Sequence, residues 1–406
     1  MSLTYSPAKL SLAIWFSALV FGAQQMSAAN STYIVGKCKS GTQFSTIQSA
    51  LDASPAPNTV EVCPGIYYEQ VLITKPVTLE GIAAGNGSLV NIELPSDYTA
   101  NANVNDGGGS EPAVAQIYVN DVRGGSVNLT NLNVNGVGFG TNSAIFIGVV
   151  YNQSSGTIDQ VTTSAQASSD GSLGVDGIGM WIQGGSSKPS VTVENSSVHD
   201  FSGVGILAVG ETSAPDLTVT IKNNNVSSNS ADANDVVLLE GTDPTVSGNT
   251  VSGGLNGIIT LAPKGSITGN TILRSPIGIE LGEDGASVKS NNIYGALTVA
   301  IDVSPSALKT STVENNTIRT VKSAASTDSD GVGIELHCHK ISSSRVNANT
   351  IMDTFDGYGD APAGFSGSNT YVGVFLDVDN GSCANGAASS ARPTARLMLP
   401  GRSHEQ

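Results

Sequence analysis

The sequence predicts an all-β solenoid, a parallel β-helix, and three observations carry that expectation. Val246, Ile267 and Val288 recur every 21 residues, as do Asn249, Asn270 and Asn291, and Val251, Ile272 and Ile293. The runs between turns are short and β-branched, alternating inward and outward over three to five positions with no helical period. The 47 glycines and the 5% aromatic content suit many tight turns between short strands. A unit of this length cannot bury its own apolar side alone, so it reads as one coil stacked on the next.

Within a coil the pattern is x-Val-x-x-Asn-x-Ile, a variable turn, then Gly-Ile-x-Leu, which gives three short strands per coil. The phrase returns at Val193–Val198, Ile221–Val226, Val313–Ile318 and Val346–Ile351, with spacings stretched to 25, 28 and 33 residues where one turn takes up insertions. That variability speaks against a left-handed hexapeptide helix. Sparse Leu and the lack of room for a helix speak against a leucine-rich horseshoe. The recurrent Asn falls between the first two strands, where a sharp bend favours a residue tolerant of the left-handed region, and stacked Asn side chains can hydrogen-bond from coil to coil.

Taken in order, residues 1–29 read as a secretory leader: Lys9, an apolar run from Leu10 to Ala23, and the small residues Ser27-Ala28-Ala29. Fourteen apolar residues are short for a bilayer span, and no later stretch reads as one, so the chain is expected outside the cytoplasm, secreted or periplasmic. Residues 30–82 form an N-terminal cap and first coil. Ser45 with Gln48 reads as a capping box, and Ile47, Ala50 and Leu51 give a short helix one apolar face to close the end of the rod. Val60–Val62, Val71–Ile73 and Val77–Leu79 are the first strands. Coils occupy residues 83–383 of a single elongated domain, and 384–406 has the composition of a disordered tail.

The run Phe44-Ser-Thr-Ile-Gln-Ser-Ala-Leu, then Val60-Glu-Val-Cys-Pro-Gly-Ile-Tyr, then Val77-Thr-Leu-Glu-Gly resembles the N-terminal segment of right-handed parallel β-helix proteins of the pectin-lyase-like superfamily. With the coils, the resemblance covers roughly residues 33 to 380. It implies the fold and a range of polysaccharide-directed activities, from pectate lyases to polygalacturonases and tailspikes. The closely spaced Asp pairs and Gly-His-Gly of polygalacturonases are absent, as are the Asp and Arg blocks of pectin methylesterases.

Four cysteines form two local pairs, Cys38 with Cys63 and Cys338 with Cys383, as an even count in an exported chain suggests. Each such bridge would contribute roughly 3–4 kcal/mol in the chain-entropy model. The formal charge of −16 disfavours nucleic acid and anionic membrane as partners. It suits neutral sugars, or anionic ones held through a divalent cation.

Aligning the Gly-Ile-x-Leu strands puts one outward residue per coil into a column: Phe146, Trp181, Leu207, Val237, Ile259, Glu280, Asp302, Glu335 and Phe375. Coils lie ~4.8 Å apart, so Glu280, Asp302 and Glu335 would form a carboxylate ladder. Such a ladder can solvate the surface, hold calcium through oxygen ligands, or supply a carboxylate pair. Calcium is the one cofactor it suggests, and no dedicated metal set is legible. Trp181 would point outward and could stack on a sugar ring, unless a neighbouring insertion covers it. Insertions at 162–176, 319–331 and 352–371 precede this strand and carry Tyr358, Phe365 and Tyr371, so they would overhang the column and turn a wall into a groove. Two residues on, Ser304, His337 and Asp377 align as the ingredients of an acyl-transfer triad, without an evident oxyanion donor.

The residues expected to carry chemistry are thus Glu280, Asp302, Glu335, His337 and Asp377, with Trp181, Tyr358 and Phe375 binding substrate. A lyase acting on uronates would want a base and a cation, yet no Lys or Arg falls in the column; Lys264, Lys289 and Arg319 fall on turns or other faces. Hydrolysis needs only two carboxylates, ~5 Å apart for retention or ~6.5–9.5 Å for inversion. The expectation is therefore a monomeric exported protein that binds an extracellular, uronate-containing polysaccharide; whether it also cleaves it stays open, and if it does, a hydrolase is expected sooner than a lyase. The competing expectation is a non-catalytic envelope or adhesion solenoid. Metal delivery through His337 is the third.

Overall fold

The computed structural model of the 406-residue chain describes residues 31–41, 43–83, 89–105, 109–137, 145–166, 177–211, 216–230, 232–283, 285–296, 298–304, 310–319, 331–336 and 345–352, and the backbone of 356–359 and 370–372. Three parallel sheets run its length. Sheet A extends from Gln43–Phe44 and Thr32–Val35 to Val346–Asn347, sheet B from Gly65–Tyr68 to Thr370–Val372, and sheet C from Val71–Ile73 to Asp356–Gly359. The chain visits A, B and C in turn, so each strand pairs with its counterpart one coil away. This is the parallel β-helix that the 21-residue period predicts.

The interior is made of aliphatic rows. Val246, Ile267, Val288, Val313 and Val346 line sheet A, and Val251, Ile272, Ile293, Ile318 and Ile351 line sheet B. Ile258, Ile279, Ile301 and Ile334 line sheet C, and all of these are fully buried. At ~1.5–3 kcal/mol for each buried aliphatic side chain, these rows dominate the favourable side of folding. Because a strand has period two, they also fix which residues face outward.

At the bend between sheets A and B the recurrent Asn is buried and builds a ladder. Asn249 donates from N and Nδ2 to Asn270 Oδ1, at 3.0 and 2.9 Å, and Asn270 does the same to Asn291. The ladder runs from Asn224 to Asn349, and each Nδ2 also donates to a backbone carbonyl of the preceding coil. The left-handed residue is not this Asn, as the sequence suggested, but the one before it: Asn223, Gly248, Gly269, Ser290, Asn315 and Ala348 have φ between 54° and 65°. The preceding residue turns the chain, and the Asn then points inward to satisfy the backbone groups that the turn leaves over.

One acid sits inside. Asp235 is fully buried, and its Oδ2 accepts from Gly254 N at 3.2 Å, while Oδ1 has no partner among the described residues. Burial pushes its carboxyl well above the usual carboxylate range, against backbone hydrogen bonds from Gly254 and Ser228.

The N-terminal end is closed by the helix Ile47–Leu51, with Ile47, Ala50 and Leu51 buried as expected. Its cap is Thr46, whose Oγ1 accepts from Ser49 N, and not Ser45. Two further amides of the first turn, Ile47 and Gln48, donate to the Glu69 carboxylate at 2.9 and 3.0 Å. Gln48, released from a capping box, instead bonds both backbone groups of Leu72 on the outermost strand of sheet C. The Cys38–Cys63 disulfide ties the cap to the first coil. Cys338 and Cys383, the segment 1–29 and the segment 384–406 lie outside the described residues.

Candidate functional site

The outer face of sheet C carries the column on which the functional reading depends. Its register is Val150, Trp181, Leu207, Val237, Ile259, Glu280, Asp302, Glu335 and Gly359 on successive strands. Glu280, Asp302 and Glu335 are therefore nearest neighbours along one wall, ~4.8 Å apart from strand to strand. The observed register departs from the expected column at two places. Phe146 pairs with Gly177, four residues from the column, and packs with Leu94 and Val114. The strand after Val332–Glu335 is Asp356–Gly359, so Gly359, and not Phe375, follows Glu335. A complete sheet C strand is hidden inside the stretch that reads as an insertion, and Tyr358 occupies the register position of the inward Ile334. Tyr371 likewise pairs with Ile351, in a strand of sheet B.

The wall has two halves. Toward the N-terminus it is apolar, and Trp181, Leu207 and Val237 are fully buried with Val150, Ile178 and Ile147 in a cluster outside the rod's interior. Ala102 and Val104 join that cluster from the strand Ala102–Asn105, which forms an antiparallel hairpin with the start of Ser110–Asn120. Asn105 N donates to Gln183 Oε1 at 3.0 Å and pins the hairpin to a strand two coils on. Trp181 points outward, as its register demands, but it is covered and offers no open ring for stacking. The run Asn103-Val-Asn-Asp-Gly-Gly-Gly flanked by alternating residues is a hairpin signal that a search for repeats passes over.

Beyond Ile259 the wall becomes acidic. Glu280 is buried, while Asp302 and Glu335 are half-buried. Calcium, the cofactor the ladder suggests in the sequence, finds no group of three converging His, Cys, Asp or Glu side chains among the described residues. Ser304 is buried and its Oγ donates to Gly282 O of the preceding coil at 2.9 Å. His337, Asp377 and Phe375 lie outside the described residues, as does the side chain of Tyr358. A hollow of about 30 Å³ lined by Leu51, Asp52, Leu72 and Lys75 lies beside the cap helix, seven strands of sheet C from Glu280, with room for about one water.

Comparison with known proteins bears on this geometry at the level of the fold. The family model described as "Right handed beta helix region" matches residues 209–376. A lacto-N-biosidase of the GH136 type from Eubacterium ramulus superposes with a TM-score of 0.57 at 11% identity, covering 85% of this chain and 68% of that one. DFA-IIIase from Arthrobacter chlorophenolicus A6 in complex with GF2 gives 0.52 at 16% identity, covering 87% and 89%. The same enzyme in complex with DFA-III gives 0.51 at 16%, covering 92% and 89%. No curated protein matches the sequence. The fold is a right-handed parallel β-helix, as the N-terminal resemblance implied, and no helix among the described residues is long and apolar enough to cross a membrane.

Proposed function

We propose that this is an exported carbohydrate-active β-helix protein that binds a polysaccharide along the outer wall of sheet C and hydrolyses it with carboxylates of the acid ladder. The observation that carries the proposal is the register: Glu280 pairs with Asp302 and Asp302 with Glu335, all facing outward on consecutive strands. Three like-charged groups in one file cost Coulomb energy that folding alone does not require. Neighbouring acids at ~5 Å fit a retaining pair, and Glu280 with Glu335, two coils apart, approach the inverting range of ~6.5–9.5 Å. In the retaining assignment Glu280 is the acid that protonates the leaving oxygen, and the more open Asp302 attacks the anomeric carbon. The resemblance to polysaccharide-directed proteins and the sugar-acting names of the superposed structures support a carbohydrate ligand. The Cys38–Cys63 disulfide supports export.

The test pairs glycan-array binding with analysis of product length. Glu280→Gln and Asp302→Asn are expected to abolish chain shortening while the fold persists. If both variants still cleave, the ladder is not the catalytic site; binding with no turnover in the natural sequence would favour the adhesion reading. Trp181→Ala is expected to destabilise the wall, since it empties a buried site.

A further inference from the structure

The outer face of sheet B carries a feature that the acid ladder does not use. Leu273, Tyr294, Arg319 and Met352 form one outward column, and Thr271, Asn292, Thr317 and Thr350 form the other, two residues away on the same strands. The Arg319 guanidinium lies over the Tyr294 ring at 5.8 Å from its centroid, and its Nη2 donates to the weak thioether acceptor Met352 Sδ at 3.6 Å. Arg274 follows Leu273 in the turn beyond this column, and its backbone N donates to Tyr294 O at 2.9 Å. Its Cγ lies 3.6 Å from where a Cβ would stand on Gly295, so the stem leans over that glycine toward the coil of Tyr294. One exposed arginine, Arg319, thus covers Tyr294 from the coil on one side, and the stem of the exposed Arg274 leans toward the same coil from the other.

Both arginines belong to the basic residues that stand outside the ion pairs, together with Lys37, Lys75, Lys188, Lys264 and Arg345 among the described residues. The chain has 34 acids against 18 basic residues, and Lys39, Arg123, Lys222 and Lys289 each pair with a carboxylate. Arg274 and Arg319 form no ion pair among the described residues. A guanidinium over an aromatic ring keeps its in-plane donors directed at planar oxyanions. The adjoining file of hydroxyl and amide groups, one per coil, offers matching contacts to a polyhydroxylated chain. The net charge of −16 opposes nucleic acid, whereas screening over ~8 Å lets a local cationic patch act at physiological salt.

We infer that Arg274, Tyr294 and Arg319 form an anion-recognition subsite on sheet B that takes the carboxylate or sulfate groups of a glycan chain. The subsite does not depend on the reactivity of the acid ladder. The experiment is affinity electrophoresis of the full mature chain in gels holding oligogalacturonate, dextran sulfate or unmodified dextran. Retardation by at least one anionic polymer and none by dextran is expected, and the polymer that retards identifies carboxylate or sulfate as the group read. Arg274→Gln with Arg319→Gln is expected to weaken that affinity at least tenfold, while Lys37→Gln with Lys264→Gln, which removes the same charge from exposed positions elsewhere, leaves it unchanged. Both arginines are exposed, so the variant is expected to keep its β-sheet circular dichroism. The inference is overturned if neither anionic polymer retards the protein, if dextran retards it equally, or if the double arginine variant binds as the natural chain does.

Discussion

Replacing Asn270 by Ala tests the ladder at the bend between sheets A and B. The side chain takes part in four hydrogen bonds: Oδ1 accepts from Asn249 N and Nδ2, and Nδ2 donates to Val246 O and Asn291 Oδ1. Truncation leaves the buried Asn249 N–H without an acceptor and withdraws a donor from the Val246 carbonyl. Asn291 Oδ1 keeps the Asn270 backbone N–H, so the damage concentrates on the N-terminal side. A buried group left unsatisfied costs ~1–3 kcal/mol, so the two together should cost about 2–6 kcal/mol. Asn292→Ala, on the outward file one strand away, is the control, with an expected cost of about 0.5 kcal/mol. Urea midpoints compare the variants, and amide exchange at Asn249 reads the local effect. If Asn270→Ala falls within about 1 kcal/mol of the control, or if Asn249 keeps its protection, the ladder is ornament rather than structure.

Two further outcomes follow from the same interior. Asp235 holds its proton in the folded chain above the pH where an unfolded carboxyl, with an ordinary value of 3.8, releases it. The folded state then binds more protons than the unfolded state, so this residue's contribution is undiminished below about pH 4 and falls by ~1.4 kcal/mol per unit as pH rises toward the elevated value. Asp235→Asn should therefore flatten the fall in urea midpoint between pH 4 and 7; parallel curves for the two proteins would contradict the assignment. Gly269 has φ +65° and open space for 4 Å around the place a Cβ would take, so Gly269→Ala meets only backbone cost, ~1 kcal/mol by thermal denaturation. Gly269→Asn should cost less, because Asn223 and Asn315 already occupy this conformation, and equal losses would point to sterics instead.

The coil, its inward rows and the acid file are legible because they depend on period: Val246, Ile267 and Val288 announce themselves, and a two-residue strand period then sets Glu280, Asp302 and Glu335 outward. What period does not encode stays hidden. The constant identity of Asn249 draws the bend to itself, whereas the left-handed position accepts Asn, Gly, Ser or Ala and leaves no letter to follow. The coil after Glu335 escapes notice because Asp356–Gly359 lacks aliphatic alternation. The cover over Trp181 comes from a hairpin outside the repeat, so no alignment of coils could place it. Arg319 reads in the sequence as a residue of a turn or another face, and nothing there joins it to Tyr294 or to the coil of Arg274, since these become neighbours only when three coils are stacked.

A rod of stacked strands invites a second molecule to continue it, because the last strand at each end has backbone groups facing out. At the first strand of sheet C a single amide answers that problem: Gln48 Nε2 meets the carbonyl of Leu72 at 3.2 Å and Gln48 Oε1 its N–H at 2.8 Å. The exposed Leu72 side chain is thereby separated from any hydrogen-bonding template beneath it. One residue of the lid helix thus imitates, at Leu72, the strand that would otherwise add there.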